Sequence, residues 1–201
     1  MKSLCALTTA FFLGMVSPSL AQDRQSNLYP QNKQDIIVVG ELLLEEAEKY
    51  MGMSYQWGGR NTKNNPGLDC LGLIFLPYSA VFDFDWRKIP VDSNKSIIEN
   101  GSLGSPVQGL NGILAEEADL SLLQKGDVLF FLVKNYKPES KDDPLLLKGN
   151  EAYKTWHTAL YAGKLGEQRM IIHAKPGDKV VKEPLSLDFY DALFVTRRSQ
   201  F

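Results

Sequence analysis

Cysteine and histidine are both scarce in this 201-residue chain: Cys5 and Cys70, His157 and His173, and no others. That excludes a disulfide-rich scaffold and a multi-cysteine zinc ribbon. Charge of one sign is also lacking. The chain carries 22 Lys and Arg against 24 Asp and Glu, a net charge of −2. Such a balance offers no polyanion-binding surface, so nucleic acid is not an expected partner. Neither an internal repeat nor a low-complexity tract is present. No apolar run reaches the ~20 residues that a membrane-spanning helix needs. What remains is ordinary: 44% of residues are apolar and 23% charged, values of a soluble globular protein. The length suits one domain that buries a core without disulfides.

The N-terminus reads as an address. Lys2 gives a short positive region, Leu4 to Val16 is apolar, and Pro18-Ser19-Leu20-Ala21 supplies small residues at the spacing of a cleavage site. These features predict a secretory signal peptide over residues 1–21, cleaved after Ala21, and hence a periplasmic or secreted protein with no stable membrane anchor. Cys5 lies too early, and after the wrong residues, for lipoprotein attachment. Residues 22–34 are polar and read as a flexible leader, leaving 35–201 as the folded domain. Cleavage removes Cys5. Cys70 is then a lone thiol in an oxidising compartment, either buried and inert or used for chemistry.

Along the domain, helical signals come first. Ile36, Val39, Leu43, Ala47 and Tyr50 fall on one side of a helix over 35–51, with Glu41, Glu45, Glu46 and Glu48 largely opposite, and Gly52 as its stop. Residues 54–68 are rich in Gly, Asn and Pro and read as a loop. Asp69 stands as the N-cap of a buried apolar helix over 70–81, in which Pro77 is expected to make a kink or an early end. The segment 83–123 is expected to wrap the surface in short helical turns. Strands follow at 127–133, 157–162, 169–173, 179–182 and 192–196. Residues 135–155 read as a polar insertion loop. Helices before strands argue for an α+β fold, N-terminal helices on an antiparallel sheet.

Cys70 would lie in the first turn of its helix, where unpaired amides and the positive dipole end stabilise a thiolate and lower its pKa. A small apolar filler is the alternative role. A thiolate nucleophile needs a base, and the base needs a group to orient it. His157 opens one predicted strand and His173 ends the next. If the two form a hairpin, both imidazoles meet at one end of the sheet, where the helix start would bring Cys70 to His157. A zinc site of Cys70, His157 and His173 is conceivable too, but short metal-ligand spacings are lacking.

These residues carry a resemblance. Tyr55-Gln56-Trp57-Gly58-Gly59 and Gly67-Leu68-Asp69-Cys70-Leu71-Gly72-Leu73 resemble the YxWGG…DCSGL signature of the NlpC/P60 cysteine peptidases. Leu123 to Phe131 (LQKGDVLFF) resembles that family's LxxGDLxFF strand. His157 to Gly163 (HTALYAG) resembles its HVGIYxG strand, and Ile171 to Ala174 its FIHA strand. Four motifs stand in the family's order across 36–198. The resemblance implies a papain-like NlpC/P60 fold with Cys70 as nucleophile, His157 as general base and then acid, and His173 orienting His157. It also implies oxyanion donors in the Cys70 N–H and the Tyr55 hydroxyl, and no metal or cofactor. The implied substrate is a peptidoglycan stem peptide, cut between γ-D-glutamate and a diamino acid.

At one position the chain departs from the signature. The residue after the nucleophile is usually Ser, which with the Tyr and Asp of the motifs holds the free amine of the substrate. Tyr55 and Asp69 are present, but Leu71 has no hydroxyl. Leu71 therefore signals either altered specificity or a packing change. Three other outcomes stay open: an amidase or wall-directed toxin with the same triad, a catalytically silent wall-binding protein, and a zinc hydrolase. No wall-anchoring module follows from the sequence, so targeting would come from the domain or from a regulatory partner.

Overall fold

A computed structural model describes residues 33–83, 85–89, 94–134 and 144–199. The expected signal peptide, and the leader up to residue 32, lie outside the described residues. Helix α1 (Lys33–Glu48) starts two residues before the expected domain boundary and ends three before the expected stop. Val39, Leu43, Leu44 and Ala47 are buried along one face, each large side chain contributing about 1.5–3 kcal/mol. Gly52, at φ +81°, turns the chain after it. Gly40 lies so close to the turn at Lys125 that a Cβ would stand 2.0 Å from the Lys125 carbonyl oxygen. This helix therefore seats directly on backbone.

Two short strands follow, β1 (Arg60–Thr62) and β2 (Asn65–Leu68), paired antiparallel. Helix α2 (Cys70–Phe82) begins where the sequence places it, with the Asp69 side chain accepting from the Gly72 N–H. It is apolar nearly all round, as a helix enclosed by other elements must be. Leu73, Ile74, Phe75 and Tyr78 have no measurable exposure. Pro77 sits inside the helix and does not end it. Its missing N–H costs one intrahelical bond, offset by the burial of the turns on either side. Helix α3 (Asn94–Glu99) follows.

The remaining strands are β3 (Ser105–Leu114), β4 (Val128–Lys134), β5 (Leu146–Lys148), β6 (Glu151–Leu165), β7 (Gln168–Ala174), β8 (Val180–Pro184) and β9 (Ala192–Arg197). They form one antiparallel sheet in the order β3-β9-β4-β6-β7-β8, with β5 paired to β6. Alternate residues of β4 face opposite ways. Val128, Phe130 and Leu132 join the core beneath the helices. Leu129 and Phe131 join a second core under the 107–123 and 185–190 segments. Covered on both faces, β4 reads as the unbroken apolar run VLFFLV. The architecture is α+β, as expected.

Two expectations are corrected. The segment 83–123 does contain short helical turns, at 86–88, 94–99, 115–117 and 120–122, but it also holds the ten-residue edge strand β3. Gly109 and Gly112 take positive φ there, and the register with β9 shifts twice. Those irregularities erase the period-2 pattern by which a strand is read. The expected insertion loop over 135–155 is also partly structured. Residues 135–143 lie outside the described residues, but 146–153 pair as a β5–β6 hairpin, so β6 starts six residues before His157.

Candidate active site

Three elements converge on the site: the start of α2, the middle of β6 and the end of β7. The α2 start is held by a dense backbone contact. A Cβ on Gly72 would lie 2.2 Å from the Gly59 carbonyl oxygen, so the β1–β2 loop and the first turn of the helix touch main chain to main chain. A helix start leaves N–H groups without intrahelical partners, and each can be followed here. The Asp69 N–H reaches the Gly59 carbonyl at 3.4 Å. That of Gly72 reaches Asp69 Oδ1 at 2.6 Å. The Leu71 N–H lies on the Cys70 sulfur. For the N–H of Cys70 no backbone acceptor is found among the described residues.

Cys70 is partly exposed and unbridged. Its thiol lies near Thr158, the residue after His157 on β6, whose buried hydroxyl has no hydrogen-bond partner among the described residues. Burial pushes the Cys70 thiol up. The Thr158 hydroxyl and the N–H groups of Thr158 and Leu71 pull it down, and the Asp69 carboxylate pushes it up again. The net direction is upward. This corrects the expectation of a lowered pKa: the helix-start amides are present, but loss of water around the sulfur outweighs them.

His157 is 4% exposed. Opposite it on β4 stands Phe131, and the next pair is Leu132 with Thr155, so Trp156 is an extra residue in β6. A bulge of this kind re-aims neighbouring side chains. The His157 ring stacks on Phe131 at 6.0 Å between centroids, and Phe131 stacks in turn on Tyr190 at 4.5 Å. The β6–β7 hairpin expected from sequence is present, with Leu160 opposite Ile172. It brings His157 Nε2 to 2.7 Å from His173 Nδ1. Burial, then the neighbouring His173, lowers His157 from 6.5 to about 4. His173 is lowered by burial as well. Both rings are therefore neutral near pH 7, and with His157 Nε2 spent on His173, its Nδ1 is the nitrogen left to take a proton. The facing nitrogens are spent on one another, and among the described residues no His, Cys, Asp and Glu cluster suits a metal ion.

Tyr55 sits beside Cys70 and Asp69. Burial raises its phenol, and the nearby negative charge of Cys70 and Asp69 adds to that. Both oxygens of the Asp69 carboxylate are engaged. Oδ1 accepts from Gly72 and from Arg60 Nη1 at 2.5 Å, and Oδ2 accepts from the Gly58 N–H at 3.0 Å. Leu71 is half-buried and packs against the main core. Trp57 and Trp156, each close in sequence to a site residue, are strongly exposed.

Sequence reasoning missed four residues here. Thr158 lies near the thiol. Arg60 neutralises Asp69. Tyr190 is raised first by burial, then by Cys70 and Glu183. Glu183 lies 2.9 Å from His173 Nε2. Only Glu183 had a readable signal: it follows Val181 by two on a strand next to that of His173, which puts it on the same face.

No protein-family model matches the chain, and no curated protein does. Solved structures do match in fold. The peptidoglycan hydrolase RipB of Mycobacterium tuberculosis is 18% identical with a TM-score of 0.50, over 85% of this chain and 69% of that one. A hypothetical invasion protein of the same organism is 19% identical with a TM-score of 0.50, over 85% and 66%. An N-acetylmuramoyl-L-alanine amidase of Bacteroides uniformis is 14% identical with a TM-score of 0.60, over 80% and 98%. With helix α2 presenting Cys70 to an antiparallel sheet that carries both histidines, the chain has an NlpC/P60-like α+β fold.

Proposed function

We propose that this protein is a thiol-dependent hydrolase of peptidoglycan stem peptides, acting outside the cytoplasm after loss of residues 1–21. The observations that carry the reading are Cys70 at a capped helix start near Thr158, the strand neighbour of His157, and the 2.7 Å pair of His157 and His173. Further support comes from the fold neighbours, of which one is a peptidoglycan hydrolase and another an amidase.

The chemistry follows from the protonation states. His157 is neutral and Cys70 carries its proton, so attack and proton transfer go together. His157 Nδ1 takes the thiol proton as the sulfur bonds to the carbonyl carbon. Negative charge then grows on the carbonyl oxygen, toward the Cys70 N–H and the Tyr55 hydroxyl. The imidazolium returns its proton to the leaving amine as the C–N bond breaks, and a thioester remains. Water, deprotonated by His157, displaces the sulfur and releases the acid. His173 holds the ring of His157 through these proton transfers.

On the resemblance, the scissile bond is that between γ-D-glutamate and the diamino acid. A second reading, an amidase cutting between the sugar lactyl group and L-alanine, is favoured by the occupied Asp69 carboxylate and by Leu71. Leu71 offers no group to a free substrate amine, the charge of Asp69 is already paired with Arg60, and the amidase bond has no amine on its acyl side. Mass spectrometry of muropeptides incubated with the protein and with Cys70→Ala tests both. A thiol-dependent cut is expected, and the product masses name the bond. Full activity in Cys70→Ala ends the proposal. Wall binding without any cut supports the silent-scaffold alternative.

A further inference from the structure

The line of contacts does not stop at His173. Its Nε2 lies 2.9 Å from Glu183 Oε1, and Glu183 Oε2 accepts from Lys175 Nζ at 2.8 Å. Glu183 stands on β8 opposite Ile171, and His173 stands opposite Val181. The two are thus diagonal neighbours on one face of the sheet, within reach for long side chains. Lys175, Glu183, His173 and His157 form a row, and Cys70 lies near Thr158, the residue after His157.

A carboxylate only accepts hydrogen bonds. Burial works to raise the Glu183 carboxyl, but the hydrogen bonds from Lys175 and His173 outweigh it and leave its pKa below the ordinary value. Ionised Glu183 therefore requires an N–H at His173 Nε2. A neutral imidazole has one ring proton, so His173 Nδ1 is then a bare acceptor. His157 Nε2, facing it, must carry its own N–H, and His157 Nδ1 keeps the lone pair. We propose that Glu183 is a positioning residue that sets the tautomers of both imidazoles and so fixes His157 Nδ1 as the proton acceptor for Cys70. This rests on the reading of Cys70 and His157 as nucleophile and base.

Lys175 makes the test sharp. The amide of Glu183→Gln has a single oxygen, and only that oxygen satisfies the Lys175 ammonium. Its NH2 then faces His173 Nε2, which must accept. The whole row inverts, and His157 Nδ1 carries a proton although no contact is lost. Adding Lys175→Met frees the amide to turn, and the original tautomers return. The expected result is a loss in kcat/KM of about 10²-fold or more for Glu183→Gln with KM nearly unchanged. Most of that activity returns in Glu183→Gln with Lys175→Met. Nitrogen-15 NMR of histidine-labelled full-length protein reads the tautomers directly: Nδ1 of His157 unprotonated in the wild type, Nε2 unprotonated in Glu183→Gln. The proposal falls if wild-type His157 has a bare Nε2, a result that needs no variant to fold. It falls equally if the tautomers do not change in Glu183→Gln, or if the single and double variants lose activity alike. Hydrolysis that persists in Cys70→Ala overturns the functional reading instead, and the NMR signature in that variant still reports on Glu183.

Discussion

Acidification should unfold this protein partly through one ring. His157 is held neutral by burial, with a pKa lowered from 6.5 to about 4. In the unfolded chain the ring titrates at its ordinary value. Between those two values the unfolded state binds a proton that the folded state refuses, so stability rises with pH across the window and is lost as pH falls through it. For a single site with these values, moving from about pH 7.5 to about pH 4.5 costs about 2–3 kcal/mol. For a domain of this size that is about 5–10 °C in Tm. The assay is thermal or urea unfolding of the wild type and of His157→Gln at both pH values. Carboxylates titrate in both proteins, and His173 and Glu183 remain in both, so the difference between the two pH dependences isolates the ring at 157. The variant should lose about 2–3 kcal/mol less on acidification than the wild type. Equal losses, within about 0.5 kcal/mol, would refute the claim that His157 is buried neutral. The same depression places the acid limb of kcat/KM near 4, because the base is spent only when its ring is protonated.

Three other outcomes follow. Because burial holds the Cys70 thiol above 9.0, its alkylation by iodoacetamide should climb with pH through and beyond that value; a rate plateau near neutrality would reveal a resting thiolate and contradict the general-base scheme. Gly72→Ala places a methyl 2.2 Å from the Gly59 carbonyl oxygen and should cost about 1–3 kcal/mol by overpacking, with loss of hydrolysis because Cys70 moves with its turn; wild-type unfolding would show that this backbone contact yields freely. Asp127 has no exposure and takes Arg197 Nε and Nη2 at 2.6 and 2.7 Å and the Gln124 N–H at 2.8 Å, so Asp127→Ala should cost about 3–5 kcal/mol by stranding the guanidinium, while hydrolysis per folded molecule stays unchanged.

Much of the fold was legible because its local signals agree with its tertiary environment. The cap at Asp69 announced α2, and the apolar run of β4 announced a strand covered on both faces. The hairpin of β6 and β7 brought the two histidines together where the motif order required. The edge strand β3 was not legible, since glycines at positive φ and two register shifts break its alternation. The β5–β6 hairpin was hidden because β5 is only three residues long and follows a polar stretch with two prolines. At the site, the proposed nucleophile and base could be found by type, because few side chains supply either. Those that tune them could not. Thr158, Tyr190 and Arg60 are common residues whose role depends on an approach that only the tertiary fold creates.

Asp69 shows how far such an approach can change a motif. In sequence it is an acidic residue beside the nucleophile, free to hold a substrate cation. In the fold its oxygens cap α2, pin the Gly58 N–H and meet Arg60 Nη1. An ammonium entering there would meet a carboxylate whose charge is already paired with a guanidinium, and would share Oδ2 with the Gly58 N–H or displace Arg60 from Oδ1. Leu71 removes the hydroxyl from the same neighbourhood and spends its side chain on the core. The two changes act in one direction, against a free amine on the acyl side of the bond. Peptides with a blocked N-terminus should therefore be cut at least as well as those with a free one. A strong preference for the free amine would mean that Arg60 gives way on binding, and that Leu71 is only packing.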